Sequence, residues 1–286
     1  MCIRDSPNGS FDFAFDTQTG AHADVVRSGT VAWVGLAIAA YDARYGGSGD
    51  YDRMLRGAVD YLLSLRDASG LVRGGPDVEW VSTQHNLLFA ELLRQIVVQG
   101  EKVGYDEEAT REVESALATL NAGIEKGLLD PVRSLHFREG VADNRTPIDV
   151  QALGSLYLLS KNNGPRARAV GEFASSSSWY LADQRTPYGP ITGQRPFLDA
   201  GSPDLVWTEG TIETRFAFGR LGFQNARLDG AIASFRKTIA PGTVGPVGAS
   251  ADSDTIWGQY RPWPTSSAAS WLLMVDRSKN VPLWVG

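Results

Sequence analysis

The strongest constraint on this chain is an internal repeat. Apolar stretches, each opened by a polar cluster, begin near residues 30, 83, 148, 208 and 266, at intervals of 53 to 65 residues. The openings are Ser28-Gly29-Thr30, Ser82-Thr83-Gln84-His85-Asn86, Thr146-Pro147-Ile148-Asp149, Trp207-Thr208-Glu209-Gly210-Thr211 and Thr265-Ser266-Ser267. Amphipathic stretches alternate with them near 52–66, 107–124, 164–176 and 226–238, at intervals of 55 to 62. A period of this size, holding one enclosed helix and one half-solvated helix, predicts stacked αα-hairpins. Thr30-Val31-Ala32-Trp33-Val34-Gly35-Leu36-Ala37-Ile38-Ala39-Ala40 is apolar nearly all round, as a helix covered on every side must be. Residues 52–66 set Arg53, Arg56, Asp60 and Arg66 among Met54, Leu55, Val59, Leu62 and Leu63, and so keep one face for water.

The connections are unequal. Those leaving the apolar helices are short, as at Lys161-Asn162-Asn163 and Gly222-Phe223-Gln224-Asn225. Those entering them are long: 67–82, 127–147, 178–206 and 239–265. Loops of that length in a compact domain usually carry function. One face, the face of the enclosed helices' N-termini, therefore holds the elaboration. Together with the small residues of the enclosed helices, this favours a closed ring over an open solenoid. Strand signals are few. Leu71–Arg73 and Leu135–Arg138 suit short loop hairpins, and residues 7–27 read as a loop or short hairpin ending at Asp24-Val25-Val26-Arg27.

Composition excludes several classes. The chain has 286 residues, 43% hydrophobic and 21% charged, a net charge of -6 and no basic block, which argues against nucleic acid as a partner. No run reaches the roughly 18–20 apolar residues of a membrane span. One cysteine, Cys2, leaves no internal disulfide framework. Three scattered histidines, His22, His85 and His136, make no zinc pattern, so no metal or cofactor is expected. Neither a Gly-x-Ser-x-Gly elbow nor a phosphate loop occurs. Met1-Cys2-Ile3-Arg4-Asp5-Ser6 resembles translated sequencing-adapter sequence. We therefore expect residues 1–6 to be a non-native leader of a metagenomic fragment and 7–286 to form a single domain. No signal segment is visible, and with those residues set aside no compartment follows.

The acids at the helix starts are the chemical candidates. Thr208 stands where an N-cap belongs, and Glu209 and Glu213 follow at i,i+4 spacing on one helical face, with Trp207 at the mouth. Asp149 takes a matching place in its own helix. There the helix dipole favours the carboxylate while desolvation favours the acid form. Glycoside hydrolysis needs one carboxyl of each kind, roughly 6.5–9.5 Å apart for inversion or roughly 5–5.5 Å for retention. Glu209 and Asp149, with Glu79 of loop 67–82, are the expected catalytic acids. The alternative is that first-turn acids only stabilise their own helices, with Glu213 pairing with Arg215 or a neighbouring Arg.

The long loops mix aromatic rings, acids and Arg, a combination suited to sugars, whose apolar faces stack on rings while their hydroxyls hydrogen-bond. Gln84, His85, Trp207, Glu213, Tyr188, Trp257, Trp263 and Arg138 are the expected substrate-binding residues, with Trp179 and Trp80 weaker candidates. The alternative is that the aromatics fill small cores beneath their own loops. His85 can bind a hydroxyl, transfer a proton or cap nearby backbone.

Through the repeat and through Trp207-Thr208-Glu209-Gly210-Thr211, Asp149-Val150-Gln151 and Val81-Ser82-Thr83-Gln84-His85-Asn86, residues 28–286 resemble the six-hairpin glycosidase superfamily, the (α/α)6 toroids. The resemblance implies an all-α toroid of αα-hairpins with long loops on one face. Twelve helices make a full ring and nine are counted here, so the chain reads as incomplete by about one hairpin. It also implies a glycoside hydrolase with a carboxylate pair in a cleft at the inner-helix N-termini, acting as a monomer on an oligo- or polysaccharide, without nucleic acid or membrane. Polysaccharide lyases and sugar epimerases share the toroid and would draw on His85 with His136 or Tyr188. Related bacterial chains carry Ser-Thr-Glu-His-Asn where Gln84 stands here. An amide transfers no proton, so a non-catalytic glycan-binding toroid is a further alternative.

Overall fold

In the computed structural model, each of the polar openings starts a helix. The structure describes residues 8–14, 18–47, 49, 51–130, 136–239, 242, 245–255, 258–277, 281 and 283–284. Its helices are α1 (Ser28–Tyr45), α2 (Asp52–Ser64), α3 (Thr83–Gln99), α4 (Glu107–Gly127), α5 (Ile148–Ser160), α6 (Gly164–Ala174), α7 (Thr208–Arg220), α8 (Ala226–Lys237) and α9 (Ser266–Asp276). Two antiparallel hairpins, β1 (Tyr180–Thr186) with β2 (Gly189–Gln194) and β3 (Ser253–Thr255) with β4 (Gly258–Tyr260), occupy the two C-terminal long loops.

The chain divides into two compact units. The first contains the described residues up to Asp130 together with Glu139–Asn144. In it α1 packs on α3, α2 covers α1, and α4 covers α3. Phe13 and Val25 pair by backbone in the expected N-terminal hairpin. The second contains His136–Arg138 and the described residues from Arg145 onward. In it α5, α7 and α9 pack in succession, α6 lies on α5, and α8 lies on α7 and β2.

Enclosure follows composition. In α5, eleven of thirteen residues are buried, polar Gln151 and Ser155 included. In the amphipathic α8 only Leu228, Ala231, Ile232 and Phe235 are buried, one stripe at helical spacing. At about 1.5–3 kcal/mol for each large apolar side chain removed from water, these stripes supply the attraction between hairpins. The helices begin in two ways. The N-termini of α4, α6, α8 and α9 are capped by the side chains of Asp106, Asn163, Asn225 and Thr265, each accepting from a first-turn amide. Those of α1, α2, α3, α5 and α7 have no side-chain cap.

Helices α1, α3, α5 and α7 use the long loops instead. The first amide of each donates to a loop carbonyl: Ser28 to Gly74, Thr83 to Glu139, Ile148 to Pro196 and Thr208 to Gly248, at 2.8–3.0 Å. The fourth residue of the helix then grips a loop by its side chain. Asn86 of α3 accepts from Val72 N and donates to Val72 O and Ser82 O. Gln151 of α5 accepts from Phe137 N and donates to Phe137 O and Pro147 O. Thr211 of α7 accepts from Gln194 N and donates to Trp207 O. A repeated pair of bonds thus fixes the loops to the helix starts and satisfies amides that would otherwise be orphaned.

One local expectation needs correcting. Thr208 is not an N-cap: Trp207 holds the cap position, Thr208 is the first helical residue, and its hydroxyl finds no partner among the described residues. Near 71–73 the short loop hairpin forms: Val72 bridges Arg66 antiparallel, Asp67 N–H donates to Leu71 O and Arg73 N–H donates to Leu65 O. Of the hairpin expected at 135–138, Leu135 lies outside the described residues, and Phe137 is held by Gln151.

Candidate active site of buried carboxyls

Within the second unit, the starts of α5 and α7 bring three acids into mutual electrostatic reach. Asp149 is the second residue of α5, Glu209 the second of α7, and Glu213 lies one turn further along α7. Asp149 is 7% exposed and Glu213 2%, while Glu209 is half-buried. The two helices approach closely because Gly210 has no side chain; a Cβ there would stand 2.5 Å from Ile148 Cγ2 and 2.6 Å from the Trp207 ring.

Each acid is set differently by its surroundings. Burial raises Asp149, to about 7; amides of Val150 and of Asp149 itself oppose the shift and the Glu209 charge adds to it. Burial raises Glu209 as well, but the Ser267 hydroxyl and the Trp271 indole N–H of α9 donate to its carboxylate and pull the other way. Glu213 is driven well above the usual carboxylate range, by burial first and then by the charges of Asp149 and Glu209. Its Oε2 has no hydrogen-bond partner among the described residues. No cation is among the groups acting on these three acids; Arg215, the expected partner of Glu213, pairs with Asp229 at 2.6 Å. Such a cluster, in which burial favours the acid form throughout and donors oppose it at Glu209, has the parts for proton donation and proton acceptance.

The other residues singled out in the sequence fall elsewhere. Trp207 is half-buried and packs on Ile148, Ala174 and Trp179 on one side and on Leu205, Ala249 and Tyr260 on the other. Trp179 is core, with its indole N–H donated to Phe173 O. His136 stacks on Phe173 at 5.1 Å. Tyr188 is exposed at the β1–β2 turn, and Arg138 is half-buried. Trp263 is 55% exposed, with the Arg261 guanidinium 5.9 Å from its ring centroid, and Arg261 also pairs with Asp254. Trp257 lies outside the described residues.

In the first unit, Glu79 is an exposed acid paired with Arg73 at 2.9 Å, its side chain 88% exposed. Gln84 is half-buried at the second position of α3, the position Asp149 and Glu209 hold in α5 and α7. His85 Nδ1 lies 2.8 Å from Ser28 Oγ, with the ring at the edge of Trp80 and pressed against Gly29. Burial, then the Arg27 charge, lowers its pKa to about 4, so the imidazole is neutral. The sequence marks Ser267 only as part of the polar opening of α9 and assigns Trp271 no role. The signal for Ser267 was its register, since it is the second residue of α9 as Glu209 is of α7.

No family model matches the chain, and no curated protein matches it by sequence. Solved structures do. A D-mannose isomerase matches with TM-score 0.63 and 12% identity over 96% of this chain and 77% of that chain. A family 8 endoglucanase from Klebsiella pneumoniae matches with TM-score 0.61 and 13% identity over 97% and 87%. A GH76 α-mannanase from Bacteroides thetaiotaomicron matches with TM-score 0.56 and 13% identity over 90% and 71%. The chain has the six-hairpin glycosidase-like fold. The hairpins repeat, so equivalent helix positions recur along the sequence. Here the second position carries Gln84, Asp149, Glu209 and Ser267 in succession. Among the described residues, no group of three His, Cys, Asp or Glu side chains is arranged to hold a metal ion, and no helix is long and apolar enough to cross a membrane.

Proposed function

We propose that this protein is a carbohydrate-active enzyme, a glycoside hydrolase in which Asp149 donates a proton to the leaving-group oxygen and Glu209 acts as the ionised carboxylate. The observation that carries the reading is the contrast between those two acids. Burial raises Asp149 to about 7 with only its own and the Val150 amide opposing, whereas the burial that also raises Glu209 is opposed by donors from the side chains of Ser267 and Trp271. The shared fold supports it, since structural neighbours include an endoglucanase and an α-mannanase, together with an isomerase acting on D-mannose. An oligo- or polysaccharide is the corresponding substrate. The lyase or epimerase alternative gains no comparable support: His136 is stacked on Phe173, and His85 is engaged by Ser28.

The test is a panel of glycans incubated with the protein, reading new reducing ends and, separately, the ultraviolet absorbance of unsaturated lyase products. Asp149→Asn and Glu209→Gln should each lower turnover by about 10²–10⁴, the usual worth of a proton-transfer group, with the circular dichroism unchanged. Equal turnover in wild type and both variants would remove Asp149 and Glu209 from the chemistry.

A further inference from the structure

The face of α7 that carries the acids continues beyond them. Glu209, Glu213, Phe216 and Arg220 follow at i, i+4, i+7 and i+11, and so lie along one side of the helix. On α9, which packs against α7, Trp271 stands one turn after Ser267. Trp271 is 5% exposed; its indole N–H donates to the Glu209 carboxylate, and its ring meets Phe216 with centroids 5.8 Å apart. After α9 the chain comes back to the same rings. Trp284, 1% exposed, lies nearly parallel to Trp271, at 22° with centroids 6.4 Å apart, and edge-on to Phe216 at 6.2 Å. Arg220 fastens this segment. Its Nη2 donates to Val281 O and, at 2.9 Å, to Leu283 O, and its guanidinium carbon stands 5.3 Å from the Phe216 ring centroid. Trp284 has a φ of +52°, left-handed backbone that a bulky residue keeps only where its surroundings hold it there.

We propose that Trp284 is a positioning residue for Glu209: buried against Trp271 and Phe216, it fixes the plane of the Trp271 indole and so aims its N–H at the carboxylate. The inference rests on the hydrolase reading for its consequence in turnover, though not for the aim of the N–H. An indole has a single donor, and that donor lies in the ring plane. A turn of the ring therefore carries the N–H off its acceptor, and a hydrogen bond weakens steeply as its angle closes. Phe216 bounds the Trp271 ring from α7, and Trp284 bounds it from the segment after α9. Taking away the Trp284 side chain opens a void beside the ring into which it can turn. The other donor, the Ser267 hydroxyl, rotates to suit its acceptor and needs no such wall. Trp284 thus acts on the acid through a ring, without touching it.

The experiment follows the Trp271 indole N–H by nuclear magnetic resonance in protein carrying isotope-labelled tryptophan, titrated with pH in the absence of substrate. The signal is identified by its loss in Trp271→Phe. In wild type it should move as Glu209 ionises, and Glu209→Gln should abolish that movement; the other titratable groups acting with Glu209 are Asp149 of α5 and Glu213 of α7. A donor to a carboxylate favours its ionised form. Trp284→Ala should therefore raise the midpoint by about one unit, and Arg220→Gln, which leaves all three rings in place, should move it in the same direction. Trp284→Phe keeps a ring and should bring the midpoint back towards wild type. In turnover, the acid limb of kcat/KM should move to higher pH in Trp284→Ala, with KM near wild type. A midpoint at the wild-type value in both Trp284→Ala and Arg220→Gln would overturn the proposal, even with a lowered melting temperature, and so would a wild-type Trp271 signal that does not follow Glu209. Should the midpoint move as stated while wild type cleaves no glycan, the hydrolase reading fails and the aimed N–H stands.

Discussion

At the scale of single residues, the account depends on burial deciding which acids keep their protons. Asp149 binds its proton more tightly folded than unfolded, so folding stability falls as pH rises from the ordinary carboxylate value of 3.8 towards about 7. Asp149→Asn removes that penalty. It should raise the melting temperature relative to wild type at pH 8 and change it little at pH 4, measured by calorimetry; a lower melting temperature at pH 8 would mean that the carboxylate stabilises the fold. His85 works in the opposite direction. The folded imidazole stays neutral to about pH 4 while the unfolded one protonates near 6.5, so stability is lost as pH falls through that window. His85→Gln should flatten the fall in melting temperature between pH 6.5 and 4, whereas an unchanged slope would show that other groups cause it. Acids placed in apolar helix starts were legible in the sequence, because a charge in such a helix needs a reason. The distinction among them was not. Glu79, Glu209 and Glu213 look alike as letters, and only packing makes the first an exposed ion-pair partner and the last a sealed acid.

At the scale of elements, the helix starts were legible almost to the residue. Beginnings expected near 30, 83, 148, 208 and 266 are found at Ser28, Thr83, Ile148, Thr208 and Ser266. Hydrophobic periodicity and polar punctuation are local signals, and helices answer to local signals. The bonds between loop and helix start are not local, and a backbone amide donating to a carbonyl some 50 residues on leaves no trace in residue type. Only the side-chain half of the repeat does, as Asn86, Gln151 and Thr211 at the fourth helical position. Trp179 was misplaced for the same reason: an aromatic residue beside a loop hairpin reads as a binding residue until the core formed with Ile148 and Ala174 is seen. The clamp is testable. Gln151→Leu leaves the buried N–H and C=O of Phe137 without partners and should cost about 2–6 kcal/mol in urea unfolding, at about 1–3 kcal/mol for each unsatisfied group. A loss below about 0.5 kcal/mol would reduce the clamp to an incidental contact.

At the scale of the whole molecule, a fold shared with an isomerase, an endoglucanase and a mannanase at 12–13% identity is fixed by helix periodicity and hairpin order rather than by side-chain chemistry. The same frame therefore leaves function to the residues at the helix starts. The division into two compact units was not visible in the sequence, where the repeat runs on without a linker-like break. What the repeat does supply is equivalence: Asp149 and Glu209 hold one structural position in successive enclosed helices of the second unit. The central claim is that those two acids act as a single catalytic device. It is tested most directly by a double-mutant cycle on glycan turnover, with Asp149→Asn, Glu209→Gln and the double variant measured under identical conditions. Residues acting together are grossly non-additive, so the account predicts a double variant no slower than the slower single one. Losses that multiply, or two single variants as fast as wild type, would contradict it.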